Sequence, residues 1–519
     1  MAQVGNGEHR REREYPSDLL QGQGDPRGFQ IARWLFLKAL GLIFFIAFAS
    51  LLVQLTGLIG ANGILPAAEL LAWARGQLGA ERFLEVPTLF WLGASDGALL
   101  TLCAAGMLLS VLLVIGIAPR WTLLALWISY LSFASTSGIF LSYQWDVLLL
   151  ETAVMALFLA PAPLRPREAW GSPLWFGSIW LLRWLLLRLM VLSGLVKLLS
   201  GDETWRNLTA LRFHYWTQPL PNVISFYVAH LPDSIQTVCT ALMFVIELLV
   251  PWMMFVNRRL RFWTAATLVA FQLGILLTGN YCFFNLLAIA LCFVLLDDQQ
   301  WARVLPERLA LRLTAQPPKL IVPPRWVRWT RLSLAVGIVL VSIAEMRFWR
   351  RKLPAPIESF LAALQPFRSI NSYGLFAVMT TTRPEILIDG SRDGRNWQTY
   401  EFKWKPGPLD RAAGWVAPHQ PRLDWQMWFA ALGSCRQNLW FLRFQEKLLE
   451  GAPEVLGLLK TNPFPDSPPK YVRSLLYQYR FSNMSEWINL HVFWKRQPEG
   501  AYCPVLALQD GSLVVPSLP

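Results

Sequence analysis

Six charged residues lie in or beside long apolar stretches of this 519-residue chain: Asp146, Glu151, Arg183, Arg188, Lys197 and Glu247. Charge in hydrocarbon is costly, so such residues usually face a bundle interior or a wet cavity, where they pair or carry protons. The simplest interpretation is structural ion pairing, in which Glu151 or Glu247 meets Arg183 or Arg188. The alternative is catalysis, because a buried lysine that loses its proton readily can act as a base. Lys197 would then be the catalytic residue.

The position of each charge along its apolar stretch narrows its role. Asp146 stands at the start of a stretch, where a carboxylate can cap a helix N-terminus and favour its positive end. Glu151 lies about one turn deeper, and capping does not explain it. Arg183 and Lys197 are fourteen residues apart, which places them on one face of a helix. Lys197 is near the C-terminal end of its stretch, where a cation is favourable without any chemistry.

Two aromatic-rich segments, loop 201–232 and segment 417–433, supply a second set of candidates. These are Trp205, His214, Tyr215, Trp216, His419, Arg422, Asp424, Trp425 and Trp428. Aromatic side chains offer adaptable apolar area, so either segment could bind an unfolded client protein if it is exposed. Alternatively, the segments form a domain interface that seats the C-terminal part of the chain on the rest. Arg422 and Asp424 could pair with each other.

Two patterns match enzyme sites only superficially. Gly93-Ala94-Ser95-Asp96-Gly97 fits the G-x-S-x-G pattern of hydrolases, which needs a strand before it and a helix after it. Here it opens an apolar helix, so we expect Ser95 or Asp96 to be the helix N-cap. His214 and His230 are sixteen residues apart in a loop, which is a weak pattern for metal ligands. We expect neither a metal ion nor a cofactor.

The apolar stretches predict an α-helical polytopic membrane bundle. Hydrophobic residues make up 54% of the chain and charged residues 16%, against about 25% charged in a soluble domain. A helix needs roughly 20 apolar residues to cross the hydrocarbon. About nine spans are expected, at Trp34–Leu58, Gly97–Ala118, Trp121–Leu141, Val147–Pro161, Leu174–Leu199, Ile235–Phe255, Phe262–Thr278, Tyr281–Leu296 and Leu332–Ala344. The fourth and ninth of these are short.

Basic residues give the predicted bundle a direction. Arginines precede the first span and follow the second, fourth, sixth and eighth, for example Arg33, Arg120, Arg165, Arg258 and Arg303. By the positive-inside rule, the N-terminus is cytoplasmic and the C-terminus, after an odd number of spans, lies outside. This distribution explains the net charge of +13 better than nucleic-acid binding does. Residues 1–30 are polar and the first apolar run is long enough to span, so we expect an anchor rather than a cleaved signal peptide.

The C-terminal third has a different pattern. Proline, charge and alternating apolar residues replace the long apolar runs from about Phe348, which predicts an α+β domain with antiparallel strands. Expected strands are Glu385–Asp389, Trp397–Trp404, Tyr471–Phe481 and Leu490–Lys495, and Arg436–Leu449 is typical of a helix. The chain is thus expected to comprise a polar cytoplasmic segment 1–33, a transmembrane domain 34–347 and an extracytoplasmic domain 348–519.

The six cysteines contain no C-x-x-C pair. Four lie in or beside apolar segments and are expected to be reduced, packed thiols. Cys435 and Cys503 lie in the C-terminal third and could form a disulfide or stay apart, since sequence alone does not fix their geometry.

Several long motifs resemble one known family. The C-terminal third carries NSYGLFAVMTTTRPEILIDGS (Asn371–Ser391), APHQPRLDWQMWFAALG (Ala417–Gly433) and NPFPDSPPKYVRSLLYQYRF (Asn462–Phe481). The apolar part carries FLSYQWDVLLLE (Phe140–Glu151) and SGLVKLLSGDETWRNLTALRFHYWTQPLPN (Ser193–Asn222). Together they resemble the lipase maturation factor family, whose eukaryotic members are endoplasmic reticulum membrane proteins that secreted lipases need for folding and assembly. The resemblance implies a membrane-anchored, chaperone-like maturation factor whose clients are immature secreted lipases or other secreted proteins.

A shorter segment is similar to part of a second family. Ser193–Trp205 resembles the membrane domain of vitamin K-dependent γ-glutamyl carboxylases, and Lys197 falls where those enzymes have their catalytic base. Two classes of function therefore remain open, a folding factor and an integral-membrane enzyme. Lys197 lining a cavity of lipid-tail width would favour the enzyme, and Lys197 paired in a dry interior would favour the scaffold. Either protein would lie in the inner membrane of a bacterium or the endoplasmic reticulum membrane of a eukaryote, with the lipid bilayer as its partner.

Overall fold

The computed structural model describes residues 26–170, 172–314, 324–346 and 353–517. Most of the polar segment 1–33 and the expected boundary between residues 347 and 348 lie outside these ranges. The described residues form a helical bundle followed by a C-terminal domain built on one antiparallel sheet.

The N-terminal part of the chain is helical. Its helices are α1 (Gln30–Leu52), α2 (Leu55–Ile59), α3 (Ala67–Leu78), α4 (Arg82–Glu85), α5 (Asp96–Ile115), α6 (Pro119–Thr136), α7 (Gln144–Leu159), α8 (Pro166–Trp170), α9 (Phe176–Leu199), α10 (Glu203–Arg206), α11 (Leu211–Thr217), α12 (Val223–Ala229), α13 (Asp233–Leu248), α14 (Arg258–Thr278), α15 (Phe284–Cys292), α16 (Asp298–Val304), α17 (Glu307–Thr314) and α18 (Arg325–Ala344). Ser95 caps α5, because its Oγ accepts a hydrogen bond from Ala98 N. The G-x-S-x-G pattern is therefore a helix cap, as expected.

Six of these helices are long and apolar enough to cross a membrane: α1, α5, α9, α13 with its extension to Phe255, α14 and α18. They make the chain an integral membrane protein. The other three predicted spans form shorter or more polar helices, namely α6 with 18 residues, α7 with 16 and α15 with 9. The expected count of nine spans is not confirmed. The helices α7 and α15 fall short in length, and the polar residues of α6, among them Arg120 and its buried serines and threonines, lower the hydropathy of that helix.

The helix ends define two faces of the bundle. At one face, called here the domain face, the end of α1, the turn between α6 and α7 and the turn between α14 and α15 contact the C-terminal domain. Gln426 donates to Ile139 O in the α6–α7 turn at 2.7 Å, and Val416 N donates to Asn280 between α14 and α15 at 2.9 Å. These turns therefore all lie at one end of the bundle.

At the opposite face, called here the basic face, arginines hold the other helix ends together. Arg120 at the start of α6 donates to Ala160 O just beyond α7 at 2.8 Å. Arg258 at the start of α14 pairs with Asp297 beyond α15 at 2.7 Å. Arg33, near the start of α1, donates to Ser172 O before α9 at 3.3 Å. These three arginines thus lie at the end of the bundle away from the C-terminal domain.

The C-terminal domain combines a six-stranded sheet with short helices. Its helices are α19 (Ala355–Leu364), α20 (Arg422–Ala431), α21 (Leu439–Glu450), α22 (Pro453–Leu456) and α23 (Met484–Leu490). Its strands are β1 (Pro384–Ser391), β2 (Gln398–Phe402), β3 (Leu459–Thr461), β4 (Tyr471–Phe481), β5 (Trp494–Gln509) and β6 (Ser512–Val514), in the order β3-β2-β1-β4-β5-β6. All neighbours are antiparallel. The predicted strand Leu490–Lys495 is wrong in its first half, because α23 ends at Leu490 and β5 begins only at Trp494.

One apolar core runs through both parts of the chain. The Trp145 and Trp425 rings, from α7 and α20, have centroids 4.8 Å apart, and Phe140 contacts Trp440 of α21 at 5.9 Å. Edge-to-face aromatic contacts of this kind add about 0.5–1.5 kcal/mol each to the effect of burial. The C-terminal domain therefore packs on the bundle as one helical layer on another.

Candidate functional site

Arg422 joins α20 to the bundle through a buried ion pair. Its Nη1 and Nη2 donate to Asp146 Oδ2 and Oδ1 at 3.0 and 2.9 Å. The Tyr130 hydroxyl donates to the same Oδ1, and Phe140 O accepts a further hydrogen bond from Arg422. The Arg422 and Asp146 side chains are 1% and 0% exposed. Bidentate pairing is the arrangement in which arginine binds a carboxylate most strongly.

Two expectations about these residues are wrong. Asp146 is the third residue of α7 rather than its N-cap, and its carboxylate binds Arg422 instead of first-turn N–H groups. Asp424 does not pair with Arg422, because residues two apart on a helix point in different directions. Asp424 Oδ1 instead accepts from the backbone N–H groups of Trp404 and Lys405 at 2.8 and 2.9 Å. It orients the turn after β2.

The polar end of α1 binds the backbone that leads into α20. Gln420 N donates to Ser50 Oγ, and Arg422 N donates to Gln54 Oε1, both at 2.9 Å. Ser50 Oγ also lies 2.9 Å from Nδ1 of His419. Burial, with a smaller contribution from the charge of Arg422, lowers the pKa of His419 to about 4. The imidazole is therefore neutral at neutral pH and can accept the Ser50 proton.

Glu151, the second buried acid of α7, also reaches across to the C-terminal domain. Its Oε1 accepts from Arg188 of α9, as expected for a structural ion pair. Its Oε2 accepts from Asn371 N at 2.9 Å and from the Tyr373 hydroxyl at 2.6 Å. Arg188 Nη1 closes the network by donating to Asn371 O at 3.1 Å. Each partner of the ion pair thus also holds the segment that precedes β1.

The remaining intramembrane charges lie in separate clusters. Glu247 of α13 accepts from Lys197 Nζ at 2.8 and 2.7 Å, so its partner is Lys197 rather than an arginine. Arg183 donates to Val294 O at 3.1 and 3.3 Å. Arg183 and Lys197 do not meet, because fourteen residues of helix separate them by roughly 20 Å along the axis.

Lys197 lies on the wall of a cavity of about 590 Å³ between α9, α13 and α14. The Trp205 ring stands 5.4 Å from its Nζ, and Trp205 Nε1 donates to Phe376 O of the C-terminal domain at 3.0 Å. Lys197 is thus both ion-paired and cavity-lining. Lys197 therefore meets both criteria, the cavity lining that would favour an enzyme and the ion pairing that would favour a scaffold.

His214 belongs to a second polar cluster at the same cavity. The Tyr281 hydroxyl donates to Gln218 Oε1 at 2.7 Å and lies 3.0 Å from Nε2 of His214. Burial and the positive charge of Lys197 lower the pKa of His214 to about 4, so the ring is neutral at neutral pH. Because the Tyr281 proton points to Gln218, Nε2 of His214 must carry the hydrogen and donate to Tyr281.

Asn280 and Arg383 provide further contacts between loops of the bundle and the C-terminal domain. Asn280 Oδ1 accepts from Val416 N and Ala417 N at 2.9 and 3.1 Å. Arg383 Nη1 donates to Trp216 O and its Nη2 donates to Pro219 O, each at 2.9 Å. We call the whole set of buried contacts between the bundle and the C-terminal domain the seam. It includes the contacts of Ser50, Asp146, Glu151, Asn280 and Arg383.

Several aromatic residues of loop 201–232 and segment 417–433 lie at the seam. Trp205, Trp425 and Trp428 are 2%, 3% and 7% exposed. Trp428 Nε1 donates to Thr217 O at 2.8 Å, and Tyr215 and Trp216 are half-buried. These positions correspond to the domain-interface alternative. The three buried tryptophans form no exposed surface, so their positions do not support a client site made of these rings.

Cys435 and Cys503 form a disulfide that ties the turn before α21 to β5. Of the free cysteines, Cys103, Cys282 and Cys292 are buried and Cys239 is exposed. Within the ranges that the structure describes, no group of three or more histidine, cysteine or acidic side chains is arranged to hold a metal ion.

Sequence reasoning missed the residues that the C-terminal domain contributes to the seam, above all Asn371, Tyr373 and Arg383. One signal was available for Arg383, because it and Glu385 lie directly before the apolar run 386–388 of β1, where charged side chains are expected to be buried together. Their side chains are 0% and 1% exposed and lie 2.8 Å apart. Asn371 and Tyr373 carried no such signal, since their role depends on a carboxylate more than 200 positions away.

Two family models match the chain, one in each of its two parts. The model described as Lipase maturation factor transmembrane domain matches residues 31–303, and that described as Lipase maturation factor C-terminal domain matches residues 369–504. Lipase maturation factor 2 of Homo sapiens is 34% identical over 94% of this chain and 84% of its own length. The chain belongs to the lipase maturation factor family.

Other lipase maturation factors match as broadly. Lipase maturation factor 2 of Mus musculus is 33% identical over 93% of this chain and 84% of its own length. Lipase maturation factor 1 of Bos taurus is 32% identical over 93% of this chain and 90% of its own. No solved structure matches the chain. Nothing in these matches supports the carboxylase-like alternative for Lys197.

Proposed function

We propose that this chain is a membrane-anchored maturation factor for secreted lipases or other secreted proteins. Its relatives are named lipase maturation factors, and the observation that carries the proposal is the breadth of the match. It covers 93% to 94% of the chain and therefore includes both the bundle and the C-terminal domain. The seam fastens the two parts together, so we expect them to act as one unit.

We further propose that the N-terminus is cytoplasmic and that the C-terminal domain lies outside the cytoplasm. Three observations support this topology. Successive helix ends alternate between the domain face and the basic face, even where α6, α7 and α15 are short. Arg120 and Arg258 lie at the basic face, as the positive-inside rule requires of the cytoplasmic side. The Cys435–Cys503 disulfide fits an oxidising compartment.

The membrane in question depends on the host. In a eukaryote this topology places the C-terminal domain in the lumen of the endoplasmic reticulum, and in a bacterium it places it in the periplasm or outside the cell. Both locations lie on the path of a secreted lipase. A client there would meet the C-terminal domain first.

Client contact requires exposed apolar area outside the seam. Leu439 at the start of α21 and Leu490 at the end of α23 are 71% and 67% exposed. These side chains are candidates for transient contact, because apolar side chains at the surface of a folding factor can bind the unburied core of a client. Trp425 offers a matched control, since it is apolar and belongs to the same domain but is 3% exposed.

Photo-crosslinking in the host tests the client assignment. A photoreactive residue at position 439 or 490 is expected to capture newly made secreted lipase, and the same residue at position 425 is expected to capture none. Host cells without this protein should secrete lipase antigen of reduced specific activity, and the wild-type chain should restore it. Unchanged lipase activity in such cells, together with no lipase adduct at either exposed position, would overturn the proposal.

A further inference from the structure

The cavity that Lys197 lines is larger than the ion pair needs. Its volume of about 590 Å³ lies in the range of roughly 300–1,000 Å³ typical of small-molecule sites. Most of its wall is apolar and comes from helices that qualify as membrane spans, with Leu189 and Met190 on α9, Ile246 on α13 and Phe271 and Ile275 on α14. A ligand of such a cavity must itself be largely apolar.

The cavity lies beside the part of the bundle surface that would face lipid. Leu242 of α13, which lines the cavity, is 53% exposed, and Leu273 and Leu277 on α14 are 44% and 47% exposed. Gly274 lies between these two leucines and also lines the cavity, and a Cβ built there meets no atom within 4 Å. A molecule could therefore enter between α13 and α14 from the hydrocarbon of the bilayer.

Of the polar groups that line the cavity, Gln272 belongs to the middle of α14, whereas Lys197, His214 and Tyr281 lie toward the C-terminal domain. Lys197 and Glu247 neutralise each other there, so the cavity presents no net charge from this pair. His214 is neutral, and its Nδ1 has no hydrogen-bond partner within the described part of the chain. Since Nε2 carries the ring hydrogen, Nδ1 is an acceptor. Nδ1 is itself closed to solvent, so an occupant meets the Lys197–Glu247 pair, whose side chains line the cavity and are each 7% exposed. A neutral pair of this kind both donates and accepts hydrogen bonds, which favours an uncharged polar head such as a hydroxyl group.

Residues of the C-terminal domain close this polar end. Leu375 and Phe376 both line the cavity, and the Phe376 ring lies 4.9 Å from the His214 ring and 5.8 Å from the Tyr281 ring. Phe376 O is in turn held by Trp205 Nε1. An occupant of the cavity would thus touch both the bundle and the C-terminal domain.

We propose that this cavity binds a neutral long-chain lipid, with its apolar chain between α13 and α14 and its hydroxyl head beside His214, Tyr281 and the Lys197–Glu247 pair. The proposal does not rest on the maturation function, because it follows from the shape and chemistry of the cavity alone. The ligand reaches the site from the bilayer rather than from the aqueous phase.

A photoreactive fatty alcohol provides the direct test. Membranes that contain the full-length protein are irradiated with a diazirine-bearing long-chain alcohol, and the adduct is mapped by mass spectrometry. It is expected on α13 or α14. Gly274→Phe, which fills the cavity, is expected to reduce labelling about tenfold. Gly337→Phe is the matched control, because Gly337 is a helical glycine of α18 that also has open space around its Cβ position. Equal labelling of Gly274→Phe and Gly337→Phe would overturn the proposal.

The exposed thiol of Cys239 gives a second measurement on the unaltered protein, should Gly274→Phe fail to fold. Cys239 lines the cavity, and the other free cysteines are buried. An unlabelled long-chain alcohol is expected to slow alkylation of Cys239 by N-ethylmaleimide, and more so than the matching fatty acid or alkyl trimethylammonium. No slowing by the alcohol would refute the site, and stronger protection by either charged lipid would refute the assignment of a neutral head.

Discussion

At the scale of single residues, Arg422 forms a buried ion pair that connects the C-terminal domain to the bundle. It lies in the C-terminal domain, yet its carboxylate partner Asp146 belongs to α7, and both side chains are fully buried. Removing one partner of such a pair leaves an uncompensated buried charge, which costs about 3–5 kcal/mol. Replacing both partners by apolar residues of similar size can be neutral, because neither charge then has to be desolvated.

We therefore expect Arg422→Ala to destabilise the protein by about 3–5 kcal/mol, measured as loss of thermal stability in detergent. The double variant Asp146→Leu with Arg422→Met should recover much of that loss. Arg443→Ala is the control, because Arg443 also pairs across the two parts, with Glu69 of α3, but both side chains are exposed, at 51% and 61%. Exposed pairs contribute about 0–1 kcal/mol. Equal stability of the Arg422→Ala and Arg443→Ala variants would show that the buried pair does not hold the seam.

His419 makes stability depend on pH at the same seam. Its pKa is about 4 in the folded protein and roughly 6.5 in an unfolded chain. As pH falls below 6.5, the unfolded chain takes up the proton before the folded protein does, so stability is full above pH 6.5 and declines toward pH 4. Melting temperatures between pH 7.5 and pH 4.5 should fall less steeply for His419→Gln than for the wild type. Parallel curves would mean that His419 does not contribute, although His214 will still add a slope in the same direction.

At the scale of elements, the sequence predicted those parts that local pattern determines. The strand Tyr471–Phe481 has the expected bounds, and α5 begins with the expected Ser95 cap. The helix expected at Arg436–Leu449 is found at Leu439–Glu450, because Cys435–Gln437 forms a separate turn. Local sequence pattern predicts an element well where one of its faces is apolar or where a capping residue marks its first turn.

The candidate site was harder to predict, because its partners are distant in sequence. The six intramembrane charges were recognisable as a set, and the pair of Glu151 with Arg188 was among the expected combinations. The pairing of Asp146 with Arg422 was not, because 276 residues separate them. The helices α6, α7 and α15 fell short of the expected spans for a different reason. The helices α7 and α15 are only 16 and 9 residues long, and polar residues lower the hydropathy of α6.

The disulfide is the element-scale feature with the clearest expected effect. Cys435 and Cys503 are 68 residues apart, and the bond fixes the turn before α21 against β5. Replacing both by serine should lower the free energy of unfolding of the C-terminal domain by about 2–5 kcal/mol, measured by the protease concentration that cleaves it. Cys239→Ser is the control and should leave protease resistance unchanged. A double variant as resistant as the wild type would contradict a stabilising role for the bond.

At the scale of the whole molecule, topology is the property on which the proposed function depends. In a background without Cys239, Leu439→Cys places an exposed thiol in the C-terminal domain, and Arg303→Cys places one at the basic face. A membrane-impermeant maleimide should label position 439 from outside the cytoplasm and position 303 only after the membrane is opened. If position 303 is labelled from outside and position 439 only after the membrane is opened, the orientation is the reverse of the proposed one.

The whole-molecule account joins these results. A bundle anchored in the bilayer holds a sheet domain at its domain face, and the seam between them is made of buried ion pairs and aromatic rings. Because Arg422, Glu151 and Asn280 each connect the two parts, the position of the C-terminal domain is fixed by the bundle rather than by a flexible linker. Under the proposed function, a client would therefore meet the C-terminal domain at a fixed position relative to the bundle.

The most direct test compares the specific activity of secreted lipase in host cells that carry only Arg422→Ala or only Arg443→Ala, with both variants brought to equal amounts in the membrane. The account predicts that Arg422→Ala, which releases the C-terminal domain from the bundle, yields secreted lipase of low specific activity. It predicts full activity with Arg443→Ala. Full lipase activity in the Arg422→Ala cells, with the C-terminal domain shown by protease sensitivity to be released, would contradict the claim that maturation requires the two parts to be held together.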